Sequence, residues 1–124
     1  MTKEAPNPYE ALERIFHEPN RLAIMSALCN ADAGLTFGDL KEICGLTDGN
    51  LNRHLKVLEE SNAVRIEKRF VGVRPRTTVR ISRGGLKRFN DYLEALGHVL
   101  EKARQSVSEQ PKPAPVPFGK QVKA

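Results

Sequence analysis

The sequence predicts a mainly α-helical fold with one small β-hairpin: about five helices, the last of them long, and two short strands. Three observations predict it. Apolar residues recur at three- and four-residue spacing in separate stretches between Pro8 and Val107. Two short runs, one beginning at Val64 and one ending at Ile81, alternate apolar and polar residues instead. From Leu86 onward an apolar seam is sustained for about three heptads.

The elements follow in order. Met1 to Asn7 reads as a flexible N-terminus. Pro8 suits the first turn of a helix with Asn7 as its cap, and Tyr9, Leu12, Ile15 and Phe16 then share one face. Pro19 opens a second helix with Leu22, Met25, Leu28 and Cys29 on its apolar side. Thr36 caps a third, with Asp39 completing a capping-box pattern; Phe37, Leu40, Ile43 and Cys44 form its inner face, and Gly45 stops it. Thr47 caps a fourth helix, on which Leu51, Leu55 and Leu58 make one stripe with His54 beside it.

Val64 and Ile66 then point one way and Arg65 and Glu67 the other; Val79 and Ile81 oppose Thr78 and Arg80 likewise. The segment from Phe70 to Arg76, containing Gly72 and Pro75, is the expected tip. Ser82 caps the last helix, although Gly84 and Gly85 weaken its first turn. In it Leu86, Phe89, Leu93, Leu96, Leu100, Ala103 and Val107 form the seam. A helix from Arg83 to Val107 is roughly 37 Å long at 1.5 Å per residue, longer than a compact small domain needs. The seam therefore asks for another helix, from a second copy or from the chain's own first helix. Ser108 to Ala124 reads as a disordered tail, with Pro111, Pro113, Pro115 and Pro117 alternating. Residues 8–107 form the one expected domain.

Composition narrows the function. The 124 residues include no run of about 18 apolar residues, so no membrane span is expected. The opening MTKEAPNPYEALE lacks the pattern of a secretory signal, so a cytoplasmic protein is expected. The net charge of +5 is unevenly spread. Arg65 to Arg88 holds nine basic residues and one acid, Glu67, a net +8 that leaves −3 for the rest. A mildly acidic body with one basic patch points to a polyanionic partner met by one face.

The fourth helix supplies the reading surface. On a helical wheel centred on Leu51, Leu55 and Leu58 fall within about 40°, while Asn52, Arg53 and Lys56 fall at about 100° to 200°. Arg suits guanine O6 and N7, and Asn suits adenine N6 and N7. Gly49 lets the first turn approach a groove closely, and Thr47 and Asn50 stand where the helix N-terminus favours a phosphate. Asp48 opposes this and is expected to turn away or to pair with a basic neighbour. Lys68, Arg69, Arg74, Arg76 and Arg80 are candidate wing contacts to the DNA backbone or minor groove. A helix for the major groove followed by a basic hairpin is how a winged helix-turn-helix reads DNA.

Cys29 and Cys44 sit on expected apolar faces, which favours two buried, reduced thiols over a disulfide or a metal site. His54 is expected half-buried with a ring nitrogen hydrogen-bonded. No acid pair, Ser-His-Asp set, glycine-rich phosphate loop or metal-ligand cluster stands out, so neither an enzyme nor a cofactor is expected.

The run Leu46-Thr47-Asp48-Gly49-Asn50-Leu51, with Arg53-His54-Leu55 and Leu58-Glu59-Glu60, then Arg74-Pro75-Arg76-Thr77-Thr78 and Ser82-Arg83-Gly84-Gly85, resembles the winged-helix transcriptional regulators related to the MarR and ArsR groups. It is closest to a small subgroup with an LTDGNL helix start, and the likeness covers about Glu10 to Leu100. The resemblance implies a homodimeric regulator, usually a repressor, on a two-fold-related duplex. It implies recognition-helix contacts at Thr47, Gly49, Asn50, Asn52, Arg53 and Lys56, and wing contacts at Arg74 and Arg76. The Cys-x-Cys of metal-sensing relatives is Glu42-Ile43-Cys44 here, which argues against metal sensing. The usual turn glycine is replaced by Asn62, which tolerates the left-handed conformation.

The reading is thus a DNA-binding regulator that dimerises through its first and last helices, with Tyr9, Leu12, Phe16, Phe89, Leu93, Leu96, Leu100 and Ala103 at the interface. An unidentified small-molecule effector is compatible with it. Two alternatives remain open at this point: a winged-helix module for protein interaction, and a ligand- or redox-responsive sensor.

Overall fold

The computed structural model describes residues 12–109. Its elements are α1 (Pro19–Cys29), β1 (Leu35–Thr36), α2 (Phe37–Cys44), α3 (Asp48–Glu60), β2 (Val64–Val71), β3 (Arg74–Ile81) and α4 (Arg83–Glu109). The mainly helical fold with a hairpin stands. The described residues hold four helices rather than about five, and β1 adds a third strand in the order β1-β3-β2.

The helix expected from Pro8 is not formed where it is described. Leu12 to Glu18 make turns, with the amides of Phe16 and His17 both donating to the Glu13 carbonyl at 3.0 Å. Glu18 is extended, at φ −145° and ψ 128°, as a residue before proline prefers. It caps α1 by accepting from the Arg21 amide at 2.8 Å. An extended cap cannot also continue a helix from upstream. Tyr9 and the start of that helix lie outside the described residues, as does the proline-rich run.

The other boundaries follow local chemistry. Thr36 Oγ1 accepts from the Asp39 amide at 3.0 Å, and Thr47 Oγ1 from the Asn50 amide at 3.2 Å. Gly45 closes α2 in the left-handed region at φ 65°. Asn62 adopts φ 66° after α3. Ser82 accepts from the Gly85 amide at 2.8 Å and donates its hydroxyl to the Asn62 carbonyl at 2.6 Å. Here Gly85 is a contact rather than a weakness: a Cβ on it would overlap the Ala63 carbonyl, so only glycine lets α4 start against that turn.

The core gathers one face of every helix onto the sheet. Ile24, Met25 and Leu28 of α1, Leu40 of α2, Leu51, Leu55 and Leu58 of α3, and Val64 and Val79 of the sheet are buried. Phe16 stands edge-on to Phe89, with ring centroids 5.3 Å apart, and Phe89 stacks on Tyr92 at 5.8 Å. The Tyr92 hydroxyl meets His17 Nδ1 at 2.9 Å. Arg88 clamps this end: it holds Glu13 at 2.8 Å, donates to the Ser61 carbonyl at 2.8 Å and lies over the Phe16 ring.

Several expected core positions are corrected. Cys29 is exposed and Cys44 only half-buried, because α1 turns Ile24, Met25 and Leu28 inward and leaves its last residue at the surface. Partial burial still pushes both thiols up from their ordinary pKa. Ile43 is exposed although it shares a side with Leu40, the one residue that the eight-residue α2 buries. In α4 the seam divides. Phe89 is buried with Phe16 in the chain's own core, so neither is available to a second copy. Leu12 and Leu96 pack at the core edge, while Leu86, Leu93, Leu100 and Val107 are exposed at intervals of seven residues.

Candidate nucleic-acid interface

α2 and α3 are joined by Gly45, Leu46 and Thr47, with the Leu46 amide bonded to the Lys41 carbonyl at 3.1 Å. That tight turn seats α3 by its leucine stripe and leaves the opposite side in solvent. Thr47, Gly49, Asn50, Asn52, Arg53 and Lys56 are all exposed. A Cβ added to Gly49 would meet nothing within 4 Å, so any close approach there is to something outside the chain. Asp48 is held by Lys41 at 2.9 Å, which partly neutralises the acid nearest the helix start. Arg53 donates to Asn50 Oδ1 at 3.1 Å, which keeps these two exposed side chains side by side.

His54 anchors the same helix from behind. It is buried, and its Nδ1 lies 3.2 Å from an Arg21 guanidinium nitrogen and 3.8 Å from Glu18 Oε1. Because the guanidinium can only donate, Nδ1 must offer a lone pair and the imidazole is neutral. Burial is the main force pushing its pKa down, and Arg21 and Arg53 add to it against the pull of Glu18. Arg21 also donates to the Ile15 carbonyl at 2.7 Å, so one side chain ties α3 to the segment before α1. Sequence spacing gives no sign of this partnership, which joins residues 33 positions apart.

The hairpin is more regular than expected. β2 and β3 pair from Val64↔Ile81 to Val71↔Arg74, so the tip is two residues, Gly72 and Val73, rather than the segment from Phe70 to Arg76. Gly72 sits at φ 68°, the conformation such a turn demands of its first residue. Lys68 shares a cleft of about 820 Å³ with Asn52, Lys56, Glu59, Phe37 and Thr77, between α3 and the wing. Arg74 and Arg76 border an adjoining cleft of about 420 Å³ that shares Phe37 and Thr77. Arg69 and Arg80 lie across the sheet from Lys68 and converge on Glu67, at 3.8 and 3.1 Å.

The structure thereby sorts the basic segment. Arg88 is tied to Glu13, Lys87 to Asp91, and Arg69 and Arg80 to Glu67. Among the described residues Arg65, Lys68, Arg74, Arg76 and Arg83 have no such carboxylate partner; Lys68 borders the cleft beside α3, and Arg74 and Arg76 border the one between the start of α2 and the wing. The remaining charge therefore lies along the wing, with Lys68 on the face toward α3 and Arg74 and Arg76 on the other face of the hairpin.

A family model for the winged helix DNA-binding domain matches residues 20–100. The chain belongs to the winged helix DNA-binding domain family. An uncharacterized protein of Methanocaldococcus jannaschii is 36% identical over 80 residues, covering 64% of this chain and 86% of that protein. A solved structure described as a transcriptional regulator homologue protein from Pyrococcus horikoshii OT3 is 32% identical, with a TM-score of 0.69 over 76% of this chain and 93% of that one. A mutant of S. aureus MepR bound to an oligodeoxyribonucleotide shares the fold at 15% identity, with a TM-score of 0.56 over 94% of this chain and 82% of that one. In this winged-helix frame α2 and α3 are the helix-turn-helix and the β2–β3 hairpin is the wing.

Proposed function

We propose that this winged-helix protein is a sequence-specific transcriptional regulator, a homodimeric repressor that places α3 in the major groove and its wing along the flanking backbone. The observation that carries the reading is the exposed side of α3, from Thr47 to Lys56, beside a cleft lined by Lys68, with Arg74 and Arg76 on the adjoining cleft of the wing. The description of the Pyrococcus horikoshii relative as a transcriptional regulator homologue supports the regulatory part. Asn52 and Arg53 are assigned to base edges, Thr47, Asn50 and Lys56 to phosphates, and Gly49 to close approach. Arg69 and Arg80, held by Glu67, serve as the outer flank of the wing field.

Dimerisation is supported by α4. Its later turns project past the core and carry Leu93, Leu100 and Val107 on one exposed line, with Ala103 beside it. A second copy would bury that line and set two α3 helices about 34 Å apart, matching a pseudo-palindromic site.

The test is titration of the purified chain onto a duplex spanning the region upstream of its own gene, with excess unrelated duplex as competitor. Saturable binding at two chains per site is expected. Arg53→Ala should cost about 1–3 kcal/mol and relax base choice. Arg76→Ala should weaken all duplexes alike and lower the salt slope by about 0.9. Unchanged binding in both variants would exclude this docking mode.

A further inference from the structure

The wing tip is made of residues that neither the fold nor a purely electrostatic contact uses. Val73 at the apex is 91% exposed, Phe70 is 74% exposed and Val71 is 54% exposed. Phe70 stands opposite Pro75 across the hairpin, so the last turn of the wing is apolar on that side. It is rimmed by cations: Arg69 opposite Arg76 one step back, Arg74 opposite Val71, and Lys68 two residues before Phe70. Like charges placed directly across a strand pair cost stability, and Glu67, shared by Arg69 and Arg80, leaves Arg76 without a carboxylate partner. Large side chains exposed together on a small domain mark a contact surface.

We infer that the wing tip is an apolar wedge for the DNA minor groove, with Val73 and Phe70 entering at a base step, Arg74 and Arg76 gripping the phosphates on one face of the hairpin and Lys68 those on the other. This rests on the DNA-binding reading above and adds a mechanical step to it. The minor groove is about 6 Å wide, and two hairpin strands alone are about 4.8 Å apart. With side chains, the tip enters only if the groove opens. Opening it by partial unstacking bends the duplex toward the major groove, and an apolar side chain against the exposed base faces offsets the lost stacking. Lys68 and the two arginines supply what the apolar residues cannot, an attraction to both phosphate rails. Pyrimidine–purine steps yield most easily, so the wedge selects sequence at positions where no side chain reads a base edge.

Ligase-catalysed cyclisation of a duplex of about 150 base pairs, near one persistence length and carrying phased TA steps, tests this without knowledge of the operator. The full chain should raise the cyclisation rate several-fold over free DNA. Phe70→Ser with Val73→Ser should return it to the rate of free DNA while leaving the salt slope of binding unchanged. Both residues are exposed, so this variant retains the fold, which thermal melting checks. Arg53→Ala should lose base preference yet still promote cyclisation, which separates failure of the wedge from failure of base reading. Cyclisation unaffected by the native chain, or promoted equally by the doubly substituted chain, overturns the inference.

Discussion

α3 and α4 are both amphipathic, yet the structure treats their apolar sides differently. The stripe of α3 is spent within the chain: Leu51, Leu55 and Leu58 are buried and only its polar side is left to face a partner. The stripe of α4 is divided. Phe89 and Tyr92 close the core, whereas Leu93, Leu100 and Val107 remain in solvent. Amphipathicity tells which side of a helix seeks apolar company, and it does not tell whose. A helix of 27 residues, about 40 Å long, outruns a core of this size, so the unsatisfied half lies where the body ends.

Removing one leucine from each helix tests the division most strongly. Leu58→Ala should cost about 2–5 kcal/mol in urea denaturation, at any protein concentration. Leu100→Ala should leave the protomer's fold intact and change stability only in a concentration-dependent way, as loss of a subunit contact does. Equal, concentration-independent losses would abolish the contrast. Gly85→Ala comes next: overlap with the Ala63 carbonyl should cost about 1–3 kcal/mol and lower the melting temperature.

A smaller effect is expected from pH, and it distinguishes the back of α3 from its front. Burial and the nearby arginines depress the pKa of His54 in the folded chain, below its ordinary value near 6.5. The unfolded chain therefore takes up this proton first as pH falls, and proton uptake favours unfolding. Stability from this group is complete above about 6.5 and declines as pH drops from there to the folded pKa. Asparagine keeps an acceptor for Arg21 without titrating, so His54→Asn should remove that decline. A persisting decline of the same size in the variant would assign it elsewhere. Once pH falls below the lowered pKa of the folded chain, protonation also costs Nδ1 its lone pair, so operator affinity should fall there, although added positive charge by itself would raise it.

The smallest change concerns the front of the helix. Lys41 and Asp48 pair with their side chains 47% and 67% exposed, so Asp48→Asn should alter stability by no more than about 0.5 kcal/mol. It should tighten DNA binding modestly, because the acid nearest the helix start is lost. Weaker binding would place Asp48 in a base contact instead.

Much of the site was legible because it depends on local rules. Thr36 and Thr47 cap the helices they were expected to cap, Asp48 finds a basic neighbour, and the wheel that put Asn52, Arg53 and Lys56 opposite the leucines matches their exposure. The errors have one local cause and several long-range ones. Leu12 and Phe16 suit a helix by spacing, but Pro19 forces Glu18 into an extended cap and the segment folds as turns. Arg88 looked like part of a DNA-binding patch and instead clamps Glu13 from 75 positions away. Nothing in their own neighbourhoods marks Tyr92 as a core residue or Arg21 as the partner of His54.

By itself the sequence determined the caps that start α2 and α3 and the glycine that stops α2, the alternation of the hairpin, the polar side of α3 and the concentration of charge. Each depends on residues a few positions apart, through hydrogen bonds to the backbone or a fixed angular step. Only the tertiary structure decided which apolar residues meet inside the chain and which arginines are taken up by carboxylates. Those outcomes depend on which elements pack together, so Phe16 met Phe89 in the core while Leu93 and Leu100, on the same seam, did not.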